Sequence, residues 1–212
     1  MMMKRFLIAL FLFLGFTYAE SPIKRDFEVG KWRRFFGVEA GVGLMDIEPA
    51  FLASFNYGLS NLYILRGMSY GAGILGGWQK YTNEKIGMRN TLGIRVFGTK
   101  DTKARLDKYK ESEGYFISDS TFYYALDGLF DFVKSGENRF GMSLGFSTDI
   151  LHLTLGGAGG FGFLFHIAPR LGLYAQFDNK IIELMASVPL AGAGLVEIGY
   201  NSTLTLSYKY LF

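Results

Sequence analysis

Apolar and polar residues alternate along eight stretches of the chain. In the last stretch, leucine and aromatic side chains occupy most even positions, and Thr, Ser and Lys occupy most odd positions. Successive side chains of a β-strand point to opposite faces of a sheet, so each stretch predicts a strand with one apolar and one polar face. Asn90 is a polar exception on an apolar face. The stretches are residues 34–44, 69–81, 85–98, 122–133, 139–149, 161–177, 181–190 and 201–212.

The segments between these strands alternate in length. The short ones are 82–84, 135–138 and 178–180. The long ones lie near 45–66, 99–118, 150–160 and 191–199. Outer-membrane barrels have short periplasmic turns and longer outer loops, whereas a soluble sandwich has no reason to alternate in this way. The pattern predicts an all-β fold, an eight-stranded antiparallel transmembrane β-barrel of outer-membrane type with both termini in the periplasm.

Aromatic residues collect at the predicted periplasmic ends of the apolar faces. Their rings would lie at the level of the lipid headgroups, as in the aromatic girdles of membrane barrels. These residues are Trp78, Phe132, Phe140, Phe177, Tyr210 and Phe212.

The composition narrows the class of protein further. Half of the residues are apolar, yet after the first twenty residues no segment has 18 uncharged apolar residues in a row, which disfavours a helical membrane protein. The chain has no cysteine, so disulfides and thiolate metal sites are excluded. The formal charge of +3 gives no reason to expect a nucleic-acid partner.

The first residues have the pattern of a secretory signal. Lys4 and Arg5 precede an apolar run at 6–16, and the small residues Thr17 and Ala19 follow it. This arrangement predicts cleavage after Ala19, the alternative being a membrane anchor, for which the run is too short. The predicted organisation is therefore a signal peptide at 1–19, a periplasmic segment at 20–34 and the barrel at 35–212.

Charged residues gather on the inward face of the predicted barrel. An eight-stranded barrel is just wide enough to be filled by side chains, and enclosed charges are costly unless they are paired. We therefore predict an ion-pair network that plugs the interior, with Arg89, Arg95, Asp127 and Asp131 in one shared network; the alternative is a narrow, ion-selective pore. The set is Glu39, Arg89, Arg95, Asp127, Asp131, Arg139, Asp149, His166, Arg170, Glu183 and Lys209.

Catalytic and cofactor motifs are weak in this sequence. A lipid-modifying enzyme, such as a lipid A deacylase, would have to use His152 or His166, and neither stands in a recognisable motif with Ser or Asp. The glycine run at 155–162 has no P-loop lysine and predicts a flexible outer turn. We expect no enzymatic activity, no cofactor and no metal.

Two predicted outer loops are candidates for contact with partners. Residues 100–119 carry dense charge of both signs, which favours a solvated hairpin whose cations contact lipopolysaccharide phosphates. Residues 46–65 are apolar for a loop, so Phe51, Phe55 and Tyr63 either fold over the barrel mouth or bind a partner.

The end of the chain carries a family resemblance. Tyr208, Tyr210 and the final Phe212 resemble the signal read by the bacterial barrel-assembly machinery. The stretches "GLYAQFDNKIIELMASVPL" and "YNSTLTLSYKYLF" resemble the penultimate hairpin and closing strand of the Helicobacter family of outer-membrane proteins. The resemblance implies a barrel in contact with outer-membrane lipid and lipopolysaccharide. It also implies a structural or adhesin-like, surface-interaction role through the outer loops, with the ligand left open.

Overall fold

The computed structural model describes residues 29–47, 62–99, 102–106, 110–115, 117–135, 138–155, 160–190 and 200–212. These residues form ten β-strands. The strands are β1 Arg33–Ile47, β2 Leu62–Tyr81, β3 Ile86–Thr99, β4 Thr102–Leu106, β5 Lys110–Tyr115, β6 Ile117–Ser135, β7 Asn138–Leu155, β8 Gly160–Phe177, β9 Lys180–Ser187 and β10 Tyr200–Leu211.

Eight of these strands close into an antiparallel barrel. The order around the barrel is β1, β10, β9, β8, β7, β6, β3 and β2, and the pairing of β1 with β2 completes the circle. Strands β4 and β5 form a hairpin that extends beyond the wall and pairs only with the start of β2. The predicted eight-stranded fold is confirmed, with this hairpin as an addition in the segment expected to be solvated.

The hydrogen-bond register is staggered around the barrel. A path that steps from residue to paired residue leaves β8 at Leu173, passes Ala40 on β1 and returns to β8 at Phe163. The stagger is thus ten residues over eight strands. A stagger of this size accompanies a strand tilt of about 40° and an interior that side chains can fill.

The two faces of the wall differ as the alternation predicts. The odd-numbered residues of β10 from Thr203 to Leu211 are buried in the interior, whereas Leu204, Leu206 and Tyr210 are exposed on the outside. The ends of the outward faces carry the exposed aromatic residues Trp78, Phe132, Phe140, Phe177, Tyr210 and Phe212. Among the described residues no helix is long and apolar enough to span a membrane.

Strand ends depart from the sequence prediction. Strands β7 and β8 extend to Leu155 and from Gly160, so the connection expected at 150–160 shrinks to residues 156–159. Part of the glycine run is therefore strand and not turn, because its backbone continues the β7–β8 ladder. Between Asp131 and Val133 a bulge shifts the register against β7, and both Phe132 and Val133 face outward.

Some predicted features lie outside the described residues. The signal peptide at 1–19, most of the segment at 20–34, Phe51 and Phe55 are among them. Tyr63 lies in strand β2 and not in a loop, and only its backbone is among the described parts of the structure.

Candidate functional site in the barrel interior

A carboxylate at the centre of the barrel holds two cations. Glu183 on β9 forms hydrogen-bonded ion pairs with Arg89 of β3 and Lys209 of β10, and Ser143 Oγ donates to Glu183 Oε1 at 2.7 Å. These three charged side chains are at most 2% exposed. Because β3 and β9 lie on opposite sides of the barrel, the pair between Arg89 and Glu183 crosses its full width.

A second carboxylate joins the same cluster from β6. Asp127 lies 3.7 Å from the Arg89 guanidinium and 3.7 Å from Arg170 Nε, and its side chain is fully buried. Asp127 is the direct cross-strand partner of Arg89. Two acids and three cations are thus interleaved here, so each charge has an opposite neighbour in a region shielded from water.

A separate cluster occupies the end of the barrel with the short connections. Asp131 pairs with Arg139 and accepts hydrogen bonds from the hydroxyls of Tyr81, at 3.2 Å, and Tyr174. The Arg139 guanidinium stacks over the Tyr81 ring with its carbon 4.0 Å from the ring centroid. These rings belong to a buried apolar layer that fills the cross-section: Phe35, Leu75, Tyr81, Leu129, Tyr174, Ile181 and Leu211.

A third cluster lies towards the other end. Arg95 on β3 pairs with Asp149 on β7 at 2.8 Å. His166 on β8 is the cross-strand partner of Asp149 and is buried. The Tyr123 ring separates this cluster from the centre, with Arg95 at 4.9 Å and Arg170 at 5.5 Å from the ring centroid. Glu39 on β1 is buried and close to this tyrosine.

The predicted inward residues therefore do share the interior, but not as one network. Arg89 contacts Asp127, whereas Arg95 turns to Asp149 and Asp131 turns to Arg139. The register explains this division, because Arg95 is opposite Thr121 and Asp131 is opposite Gly141. Parity gives the side of the wall on which a residue lies, but not its height along the barrel axis.

Three tyrosines were missing from the predicted site. Tyr81, Tyr123 and Tyr174 lie between the charged clusters and are nearly fully buried. They share the inward parity of the charged residues, so the same alternation would have identified them. The sequence prediction selected charged residues alone and therefore missed the aromatic layers.

The closing strand places the predicted assembly residues on the outside. Tyr210 and Phe212 are exposed, and Tyr208 is half-buried on the same outward face. The Phe212 amide donates to the Arg34 carbonyl at 2.9 Å, which continues the pairing of β10 with β1 to the last residue. Tyr210 and Phe212 therefore present their side chains to the surroundings of the barrel.

The two histidines lie on opposite faces of the barrel wall, with His166 inside beside Asp149. On the outward face His152 of β7 is the cross-strand partner of Ser120 of β6, and the neighbouring outward residues Val96, Phe122 and Ile150 are apolar. No group of three potential metal ligands occurs within the described ranges.

The comparisons agree with the fold. No protein-family model matches the chain, and no curated protein matches its sequence. Neisserial surface protein A has a similar structure, with a TM-score of 0.50 at 12% identity over 84% of this chain and 97% of that one. The Ail attachment invasion locus protein of Yersinia pestis aligns over 84% of this chain and 98% of that chain, at 11% identity and a TM-score of 0.43.

The N-terminal barrel domain of Pseudomonas aeruginosa OprF aligns over 85% of this chain and all of that domain, at 12% identity and a TM-score of 0.34. The fold comparison rests on the neisserial protein, whose TM-score is the highest of the three. This chain has the architecture of the small outer-membrane barrels.

Proposed function

We propose that the protein is an integral outer-membrane barrel that acts through its surface, as a structural or surface-interaction protein, with a plugged interior. The observation that supports this most directly is the cross-barrel pair of Arg89 and Glu183, reinforced by Lys209. A barrel whose cross-section is filled by paired charges and tyrosine rings offers no wide channel, so its interactions fall to its outer face and connections.

The proposed orientation places both termini and the short connections in the periplasm. It is supported by the position of the long segments 48–61, 100–116 and 188–199 at the other end. Because the chain has no cysteine, single introduced cysteines report their side of the membrane. A membrane-impermeant maleimide should label Ser112→Cys in intact cells and Glu84→Cys only after permeabilisation. Labelling in the opposite pattern would show that the barrel has the opposite orientation in the membrane.

Partners follow from this orientation. Cations of the β4–β5 hairpin would face lipopolysaccharide phosphates, and an adhesin-like contact with a surface ligand would use the same end. Tyr208, Tyr210 and Phe212 would be read by the barrel-assembly machinery. Phe212→Ala should then lower the amount of assembled barrel in cells while leaving refolding in detergent unchanged, because Phe212 is exposed. Equal losses in both assays would mean a purely structural role.

Membership in the Helicobacter-type family is part of the same proposal. It is supported by residues 172–190, which contain the β8–β9 turn and all of β9, and by the closing strand. If it is right, assembly machinery from Helicobacter should insert the chain more efficiently than machinery from an unrelated Gram-negative bacterium. Equal efficiency would leave only the general barrel assignment.

The enzymatic alternative is tested by lipid analysis of a deletion strain. We expect unchanged lipid A acylation and an unchanged phospholipid profile. A changed profile that wild type restores, and that His152→Ala or His166→Ala does not, would instead establish a lipid-modifying enzyme.

A further inference from the structure

A groove of about 460 Å³ opens on the outer surface at the end with the short connections. Trp32, Arg34, Trp78 and Asn90 line it. We propose that this groove binds the anionic headgroup of a glycerophospholipid. The choice of a glycerophospholipid rests on the proposed orientation, which places this end in the periplasmic leaflet.

The groove is lined by a cation that can bind a phosphate group. Arg34 on β1, Trp78 on β2 and Asn90 on β3 are consecutive cross-strand partners, so they form one row on the outward face. Arg34 is exposed and forms no ion pair with any carboxylate of the described residues. A guanidinium presents a fork of donors that matches two phosphate oxygens, so this row contains a phosphate-binding group without a protein partner.

Two further groups extend this binding surface. Lys80 lies two residues after Trp78, and its Nζ is 5.8 Å from the centroid of a Trp32 ring, which brings a second cation to the groove. The Asn90 Oδ1 accepts a hydrogen bond of 3.0 Å from the Tyr124 hydroxyl, so the amide nitrogen is the end of Asn90 that can donate to a ligand. A contact with the headgroup would also explain why the polar residue Asn90 lies on the lipid-facing surface.

The barrel wall next to the groove lacks one outward side chain. One row closer to the middle of the barrel, Gly76 lies between its partners Phe36 and Leu92 on the outward face. A methyl group at Gly76 would meet only the Phe35 carbonyl oxygen at 3.4 Å and Phe36 Cδ2 at 3.8 Å. The missing side chain leaves a gap one residue long between the apolar side chains of Phe36 and Leu92, here called the channel, where an acyl chain that descends from the groove would pack.

The channel favours a phospholipid over a soluble phosphate as the ligand. A soluble phosphate would use the cations alone, whereas a phospholipid uses both the cations and the channel. Aromatic rings such as Trp32 and Trp78 are typical of the headgroup level, where the phosphate of a lipid also lies. The occupant we assign is therefore a glycerophospholipid with a net negative headgroup, such as a phosphatidylglycerol.

The chain has only two tryptophans, and both line this groove, so tryptophan fluorescence reports on this site. The experiment reconstitutes the full barrel in vesicles that contain a minor fraction of lipid with brominated acyl chains, which quench nearby tryptophan. Brominated phosphatidylglycerol should quench at lower mole fraction than brominated phosphatidylcholine. We expect a preference of roughly fivefold for each of the two cations.

Variants separate headgroup from acyl chain. Arg34→Gln with Lys80→Gln should abolish the preference, whereas Lys180→Gln, which neutralises an outward cation of β9 away from both tryptophans, should retain it. Gly76→Val should weaken quenching by both lipids alike, because it fills the channel. Heat-dependent band shifts on a gel show that each variant is folded.

Equal quenching by the two lipids in the parent protein, or a preference that survives in the double variant, would overturn the proposal. The vesicle assay is independent of orientation in the cell, so cysteine labelling can fail while quenching succeeds. That combination would place the groove in the outer leaflet, where brominated lipid A should then outcompete phosphatidylglycerol. Release of quenching by inorganic phosphate would identify a site for the free anion instead.

Discussion

At the scale of single residues, Glu183 is a buried carboxylate whose charge is shared by two cations. One buried carboxylate compensates both Arg89 and Lys209 and also accepts the Ser143 hydroxyl. Burial makes this compensation necessary, because a charge left without a partner retains its cost of desolvation. Removing the charge of Glu183 should therefore lower the free energy of unfolding by more than removing an acid from an exposed ion pair does.

We predict that Glu183→Gln lowers the free energy of unfolding by about 3–5 kcal/mol. Adding Lys209→Met should recover part of the loss, since it removes the cation that loses its ion pair with Glu183. Urea midpoints of barrels refolded in detergent measure both changes. Glu84→Gln is the matched control, because Glu84 is 78% exposed in its pair with Lys134 and should change stability by less than about 1 kcal/mol. Additive losses in the double variant would indicate that these charges face water.

Asp127 permits a finer test of the same cluster. It lies between Arg89 and Arg170 at equal distances of 3.7 Å. Asp127→Ala should therefore lower the free energy of unfolding by about 3–5 kcal/mol, because it leaves buried cations without their partner. Adding either Arg89→Met or Arg170→Met to this variant should restore part of the lost stability. Urea titrations of the two double variants measure this recovery. Failure of both doubles to recover stability would show that Asp127 acts through packing and not through charge.

Inward glycines make room for the tyrosine layers. A methyl group at Gly93 would overlap the ring of Tyr123, whereas one at Gly76 on the outside meets no atom closer than 3.4 Å. We predict that Gly93→Ala costs about 1–3 kcal/mol, because the enclosed ring must shift. Gly76→Ala should stay within about 0.5 kcal/mol of the parent. Equal urea midpoints for the two variants would contradict this packing.

At the scale of elements, the eight wall strands and the added hairpin have different roles. Each wall strand pairs with a neighbour on both sides, whereas the hairpin of β4 and β5 pairs with the wall only through the start of β2. Since Gly98 of β3 is already the partner of Ser118 on β6, a short turn can join these strands directly.

We therefore predict that replacing residues 101–116 by an Asn-Gly turn leaves the heat-dependent band shift intact. Deleting the wall strand at residues 86–99, a segment of similar length, should abolish it, because an antiparallel sheet with an odd number of strands cannot close with every pair antiparallel. Loss of the band shift on removal of the hairpin would make the hairpin part of the fold.

The strands themselves were predictable from sequence, since lipid outside and packed side chains inside impose a strict period of two. Their ends were not, because the ladder of β7 and β8 continues through residues such as Gly160 that carry no alternating signal. The bulge at Phe132 and Val133 also breaks the parity rule locally. Partners across the barrel, such as Arg89 with Glu183, depend on the register and on the ten-residue stagger, which no local pattern contains.

At the scale of the whole molecule, the barrel has three ionic clusters separated by aromatic side chains. Phe35, Tyr81 and Tyr174 help to fill the end with the short connections, and Tyr123 lies between the centre and the other end. Opposite charges are thus paired within each level and not along a continuous path. An interior built in this way favours a sealed barrel over a pore.

Planar-bilayer recording of the purified, folded barrel tests this claim most directly. A sealed interior predicts no stable unitary conductance at either polarity, under conditions in which a 16-stranded porin, whose interior holds an aqueous channel, conducts. Folding of the same sample is verified by its heat-dependent band shift. Stable, reproducible unitary conductance from the folded barrel would contradict the sealed interior and place the narrow pore ahead of it.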